Sequence, residues 1–171
     1  MGSVFKRFRP NLGSFKKSRG TYLKVDLDLA AKLRKQLLTG QKSKIIGISW
    51  KGGSKQNCAP TNKSIELNQI ALLLNSENVK LVNLQYGDTA QEIKGLKNEY
   101  GVSVTNLSEI DNLHNLDGLA RLIKACDHVV TIDNLTAHMA GALGAKTSVL
   151  LPFCPEWRWG RTAKYSYIHS A

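Results

Sequence analysis

The sequence predicts an α/β fold in which a parallel β-sheet is flanked by helices. Three observations carry this reading. Five short apolar runs of strand length recur between Lys44 and Leu151. Between them lie segments whose apolar residues recur at helical spacing and stop at glycine or polar residues. The interval between successive runs, roughly 25 to 30 residues, is that of a βαβ unit, in which a helix crosses over between parallel strands.

The elements follow in order. Asp28 is placed to cap a first helix running to about Thr39, with Leu29, Leu33 and Leu37 on one face and Gly40 as its stop. The run from Lys44 to Trp50, bounded by Lys51-Gly52-Gly53, reads as a buried strand. Ser64 is placed to cap a helix reaching about Asn75, and Val79 to Leu84 is the next strand. Gln85-Tyr86-Gly87-Asp88 turns into a helix ending near Tyr100, where Gly101 is the stop. Val102 to Thr105 is a short strand. A loop containing Asp111 then leads to a helix from about Asp117 to Ala125. His128 to Ile132 is a strand, Thr136 to Leu143 a helix with Gly144 as a left-handed C-cap, and Thr147 to Leu151 a strand.

The 171 residues carry a formal net charge of +11, distributed unevenly. Seven basic residues precede Asp26 with no acid among them, which leaves 17 basic against 13 acidic residues in the remainder. Residues 1–27 therefore read as a basic arm or interdomain linker, and residues 28–171 as the folded domain. Phe5, Phe8 and Phe15 are interleaved with the charges, a pattern that suits either stacking on bases or packing on a neighbouring domain. The start has no continuous apolar segment of a secretory signal, and no apolar run reaches the ~20 residues of a membrane span. Cys58, Cys126 and Cys154 are odd in number and far apart, so neither a disulfide framework nor a zinc site is predicted. A reducing, cytoplasmic setting is the simplest expectation.

Ligands of such sheets sit at the carboxyl ends of the strands, so the loops there are the ones that matter. After the first strand, Lys51-Gly52-Gly53 offers a cation beside glycines that let a backbone approach a ligand. It matches neither G-x-G-x-x-G nor the P-loop pattern. After the fourth strand, Asp133-Asn134-Leu135-Thr136-Ala137-His138 opens a helix. The free N–H groups and positive dipole end of that helix suit a phosphate. Asn134 is equally readable as a plain N-cap, and His138 as a core histidine. The loop from Leu151 to Trp159 sets Arg158 between two tryptophans, either a stacking wall with Arg158 aimed at phosphate or an aromatic cluster over the sheet. No Ser-His-Asp order, H-E-x-x-H or paired-carboxylate spacing appears, so no catalytic residue is assigned and no metal is expected.

Ile48-Ser-Trp-Lys-Gly-Gly53, Asn62-Lys-Ser-Ile65, Leu81 to Asp88 and Ile132 to Trp159 together resemble a known pattern. It is that of the C-terminal domain of GT-B glycosyltransferases of the heptosyltransferase and O-GlcNAc-transferase-like kind, often attached to tetratricopeptide repeats. The resemblance implies a Rossmann-like domain that binds a nucleotide-diphosphate sugar as donor substrate, with no essential metal or other cofactor. It implies that Lys51 and the Asn134–Thr136 turn meet the diphosphate, that Gln85 lies near the nucleoside, and that His138 supports the phosphate pocket. It also implies a partner, an N-terminal acceptor domain or second polypeptide, that would supply the catalytic base. Lys63 stands where the related pattern has arginine. Two other readings stand beside this one: a non-catalytic binding module or degenerate fragment, and a nucleic-acid-binding protein acting through the basic arm. Without its partner domain the chain is expected to associate, with Phe5, Phe8, Phe15, Trp157 and Trp159 as its exposed aromatics.

Overall fold

The structure, a computed structural model, describes residues 21–38, 43–52, 63–153, 155 and 159. Its described elements run α1 (Leu27–Leu37), β1 (Lys44–Ser49), α2 (Leu67–Leu74), β2 (Val79–Asn83), α3 (Ala90–Tyr100), β3 (Val104–Thr105), α4 (Leu116–Ala125), β4 (His128–Ile132), α5 (Leu135–Ala142) and β5 (Thr147–Leu150). The five strands form one sheet in the order β3-β2-β1-β4-β5, and every pairing is parallel. This is the predicted Rossmann-like α/β arrangement.

Two cores cover the two faces of the sheet. On one face Leu37 of α1, Leu119, Leu122 and Ile123 of α4, and Met139, Ala140 and Leu143 of the α5 region pack on Ile45, Val82 and Val129. On the other, Leu67 and Ile70 of α2 and Leu96 of α3 pack on Ile48, Trp50, Leu81 and Val130. The strands alternate sides as the pleat requires, so Ile45 and Ile48 belong to different cores. Gly47 lets β1 come close to its neighbours, because a Cβ there would lie 2.4 Å from Leu84 Cδ1 and 2.9 Å from Cys126 Sγ.

The ends of several elements differ from the sequence expectation, each for a local reason. Asp26, not Asp28, caps α1, accepting the Leu29 N–H at 3.0 Å. Ser64 does not cap α2. Its hydroxyl accepts the Gly52 N–H at 3.3 Å, and the helix begins after Glu66 with no side-chain cap bond. Asn115 caps α4 by accepting from the Gly118 N–H. Gly101 and Gly144 stop α3 and α5 at φ of 69° and 64°, a left-handed conformation that costs glycine nothing. The expected stop at Gly40 lies outside the described residues.

The folded body begins earlier than residue 28. The N–H groups of Tyr22 and Leu23 both donate to Ala142 O at 3.1 Å, fixing this stretch to the end of α5. Arg34 then anchors α1, donating to Ala125 O and pairing with the Asp127 carboxylate.

Candidate functional site

Strand order reverses between β1 and β4, the topological switch point of the sheet. Ligand crevices of open α/β sheets open there, at the carboxyl ends of the strands. The chain places Ser49-Trp50-Lys51 at the end of β1 and Asp133-Asn134 at the end of β4. These segments are joined directly. Asn134 donates through Nδ2 to Ser49 Oγ at 2.7 Å and to Lys51 O at 3.3 Å. Its Oδ1 accepts from Thr131 Oγ1 and caps α5 by accepting from the Ala137 N–H. The side-chain amide of Asn134 is thus used within the protein, as a cap and as a cross-strand tie. What the turn offers a ligand is backbone, at the exposed Leu135, whose N–H belongs to the first turn and has no intrahelical acceptor. Leu135 is exposed, whereas Thr136 is 1% exposed and its side chain packs inside.

Gln85 is buried and performs a parallel task between β1 and β2. Its Oε1 accepts from Ser49 Oγ at 2.9 Å, Trp50 N at 3.0 Å and Lys51 N at 2.7 Å. The backbone of Lys51 is therefore fixed from both sides, by Gln85 just after β2 and Asn134 just after β4. Its ammonium group bonds to Glu92 Oε1 in the first turn of α3. Glu92 Oε2 in turn accepts the Trp50 indole N–H at 2.8 Å. Lys51 is consequently held toward the α2/α3 side of the sheet.

Lys63 is the cation that reaches β4. Ile65 N donates to Trp50 O at 3.0 Å, and with the Gly52–Ser64 bond this brings the chain back beside the end of β1. Gly52 makes room for it, since a Cβ there would sit 3.3 Å from Lys63 Cβ. Lys63 Nζ pairs with Asp133 Oδ2 at 3.1 Å, and His138 Nε2 lies 3.9 Å from the other carboxylate oxygen. The Asp133 side chain is buried, so it needs these partners. The His138 ring stacks on Trp159 with centroids 5.4 Å apart. Trp159 is 5% exposed, which corrects the expectation of an exposed aromatic there. Gly53, Trp157 and Arg158 lie outside the described residues.

Beyond Gln85 the structure gathers polar residues that the sequence reading did not select. Asn83, Asn106, Asp111, Asn112 and His114 line an open cleft of about 410 Å³ at the carboxyl ends of β2 and β3. Asn83 Nδ2 donates to Thr89 Oγ1 and Asn106 Oδ1, and its Oδ1 accepts the Gln85 N–H. Asn112 Nδ2 bridges the carbonyls of Asn83 and Gln85 at 3.2 Å each. Among the described residues, Asn112 Oδ1 and the Trp159 indole N–H are buried without a hydrogen-bond partner, the kind of polar atom that a ligand or water satisfies. At the rim, Asp111 receives His114 Nδ1 at 2.8 Å and the N–H groups of Leu113 and His114. The His114 hydrogen bond leads in holding the Asp111 carboxyl below its ordinary range. One signal for this network was present in the sequence: asparagine stands at the end of β2, just after β3 and just after β4.

Among the described residues no group of three or more His, Cys, Asp or Glu side chains is placed to hold a metal ion. No described helix is long and apolar enough to cross a membrane.

The chain is similar to Protein FlbA of Caulobacter vibrioides, with 31% identity over 150 residues. The alignment takes in 88% of this chain and 25% of that protein, so the chain spans about a quarter of the length of the curated relative it matches. No family model and no solved structure matches the chain.

Proposed function

We propose that this domain binds the donor of a glycosyl transfer, a nucleotide-diphosphate sugar, at the carboxyl ends of β1, β2 and β4. One observation carries the reading. The first turn of α5 opens at the switch point of the sheet, with Lys63 beside it and the asparagine-lined cleft at the neighbouring strand ends. A helix N-terminus and a cation suit a diphosphate, and a cleft with amide groups and apolar walls suits a nucleoside. The resemblance to the GT-B donor domains, drawn from the sequence, points to the same ligand.

In glycosyl transfer the bond between the sugar and the diphosphate breaks, and negative charge grows on the departing phosphate. On this reading the dipole of α5 stabilises that charge, with Lys63, paired to Asp133, beside it. Asn134 and Gln85 are positioning residues, holding the strand ends in register. The acceptor and the base that deprotonates it belong, on this reading, to a partner domain.

The test is calorimetric titration with ADP, GDP, UDP and CDP and with the matching nucleosides. At least one diphosphate is expected to bind at least about tenfold tighter than its nucleoside, the gain of one charge-assisted hydrogen bond. Equal affinity of every diphosphate and its nucleoside contradicts a phosphate seat. Binding of single-stranded nucleic acid that vanishes when residues 1–24 are removed would favour the basic-arm reading instead.

A further inference from the structure

Lys51 is the obvious phosphate ligand from sequence, yet its charge is cancelled. We infer that Glu92 is a specificity-determining residue of the strand-end site, setting how much anionic charge the site accepts by neutralising Lys51. The inference rests on the diphosphate reading above.

Three features separate this pair from a casual surface contact. First, the carboxylate is anchored. Glu92 Oε2 is held by the indole N–H of Trp50, which is buried in the α2/α3 core. Second, the Lys51 backbone is bonded to Gln85 Oε1 and Asn134 Nδ2, which fixes the point from which its side chain starts. Both side chains are more than a third exposed, so salt screens the pair. Third, the second cation is also paired, Lys63 with Asp133. Among the described residues, Lys51, Lys63, Glu92 and Asp133 sum to no net charge, and the dipole of α5 adds to the attraction for an anion. Removing the Glu92 charge gives the site a net cation at the mouth of β1. With Glu92 in place the Lys51 end of the site attracts free inorganic anions less, and ligands that add contacts in the neighbouring cleft are favoured.

Glu92→Gln isolates the effect. Glutamine keeps an oxygen for the Trp50 indole and removes only the charge. The probe is inorganic pyrophosphate, which carries no base or sugar, titrated calorimetrically at low and high salt. The variant is expected to bind pyrophosphate at least about fivefold tighter than the unmodified chain. The gain should shrink as salt rises. In Lys51→Met/Glu92→Gln the affinity should return close to that of the unmodified chain. Melting curves establish that each variant is folded. If the unmodified chain binds pyrophosphate and Glu92→Gln binds it no tighter, the inference is wrong and the diphosphate reading stands. If the double variant keeps the full gain, Glu92 does not act through Lys51. If neither the unmodified chain nor Glu92→Gln binds pyrophosphate or any nucleoside diphosphate, both the inference and the reading beneath it fail.

Discussion

The side-chain carbonyl of Gln85 accepts the backbone N–H of Lys51 at 2.7 Å, and it takes the Trp50 N–H and the Ser49 hydroxyl as well. One buried oxygen thus terminates β1 and locks it to β2. Asn134 does the equivalent work from β4 through Ser49 Oγ. Both amides are candidate ligand residues by sequence, and both are engaged in shaping the site.

Replacing Gln85 by methionine should therefore lower stability before it affects binding. Methionine fills similar volume but leaves the Trp50 and Lys51 N–H groups without their acceptor. A loss of about 2–4 kcal/mol is expected, measured by urea titration. A change within about 0.5 kcal/mol would mean that the strand end is held by other bonds.

The two lysines should separate cleanly. Lys63→Met is expected to weaken binding of the preferred nucleoside diphosphate by roughly 1.5–3 kcal/mol, the loss of a charge-assisted contact. Lys51→Met should cost less, because Glu92 holds that lysine toward the α2/α3 side, whereas Lys63 lies beside the first turn of α5 with Asp133. Calorimetry on both variants, with melting curves to establish folding, decides the order. The opposite order returns the main phosphate role to Lys51.

These outcomes mark how far the sequence could be read. Strands and helices were legible because apolar runs and helical periodicity are local signals. The parallel sheet followed from the regular alternation of the two. The amide network was not legible, because Gln85, Asn112 and Asn134 bond to residues far along the chain. No spacing rule encodes those contacts. The place of Lys63 is hidden from the sequence for the same reason. Its place beside Asp133 depends on Ile65 and Ser64 bonding back to Trp50 and Gly52. Expecting the cap at Asp28 when Asp26 provides it is a local error of two residues, usual where several polar residues precede a helix.

Cys126 gives a prediction in alkaline solution. Burial, with Asp127 nearby, pushes its thiol up to about 12 from an ordinary 9.0. The thiolate then forms more readily in the unfolded chain than in the folded one. This contribution to stability is intact below pH 9.0 and is lost as pH rises toward about 12. With Cys58 and Cys154 replaced by serine, stability should fall above that pH, and Cys126→Ala should remove this part of the slope. At pH 8 iodoacetamide should modify Cys126 only after unfolding. Fast alkylation of the native protein would show that the thiol is accessible.

The central claim is that a phosphate group sits on the first turn of α5. Amide hydrogen exchange at single-residue resolution, with and without the preferred nucleoside diphosphate, reads that turn directly. The account predicts that the Leu135 amide is slowed markedly by the diphosphate and much less by the nucleoside. Binding of the diphosphate with no change in exchange at Leu135 would place the ligand elsewhere and contradict the account.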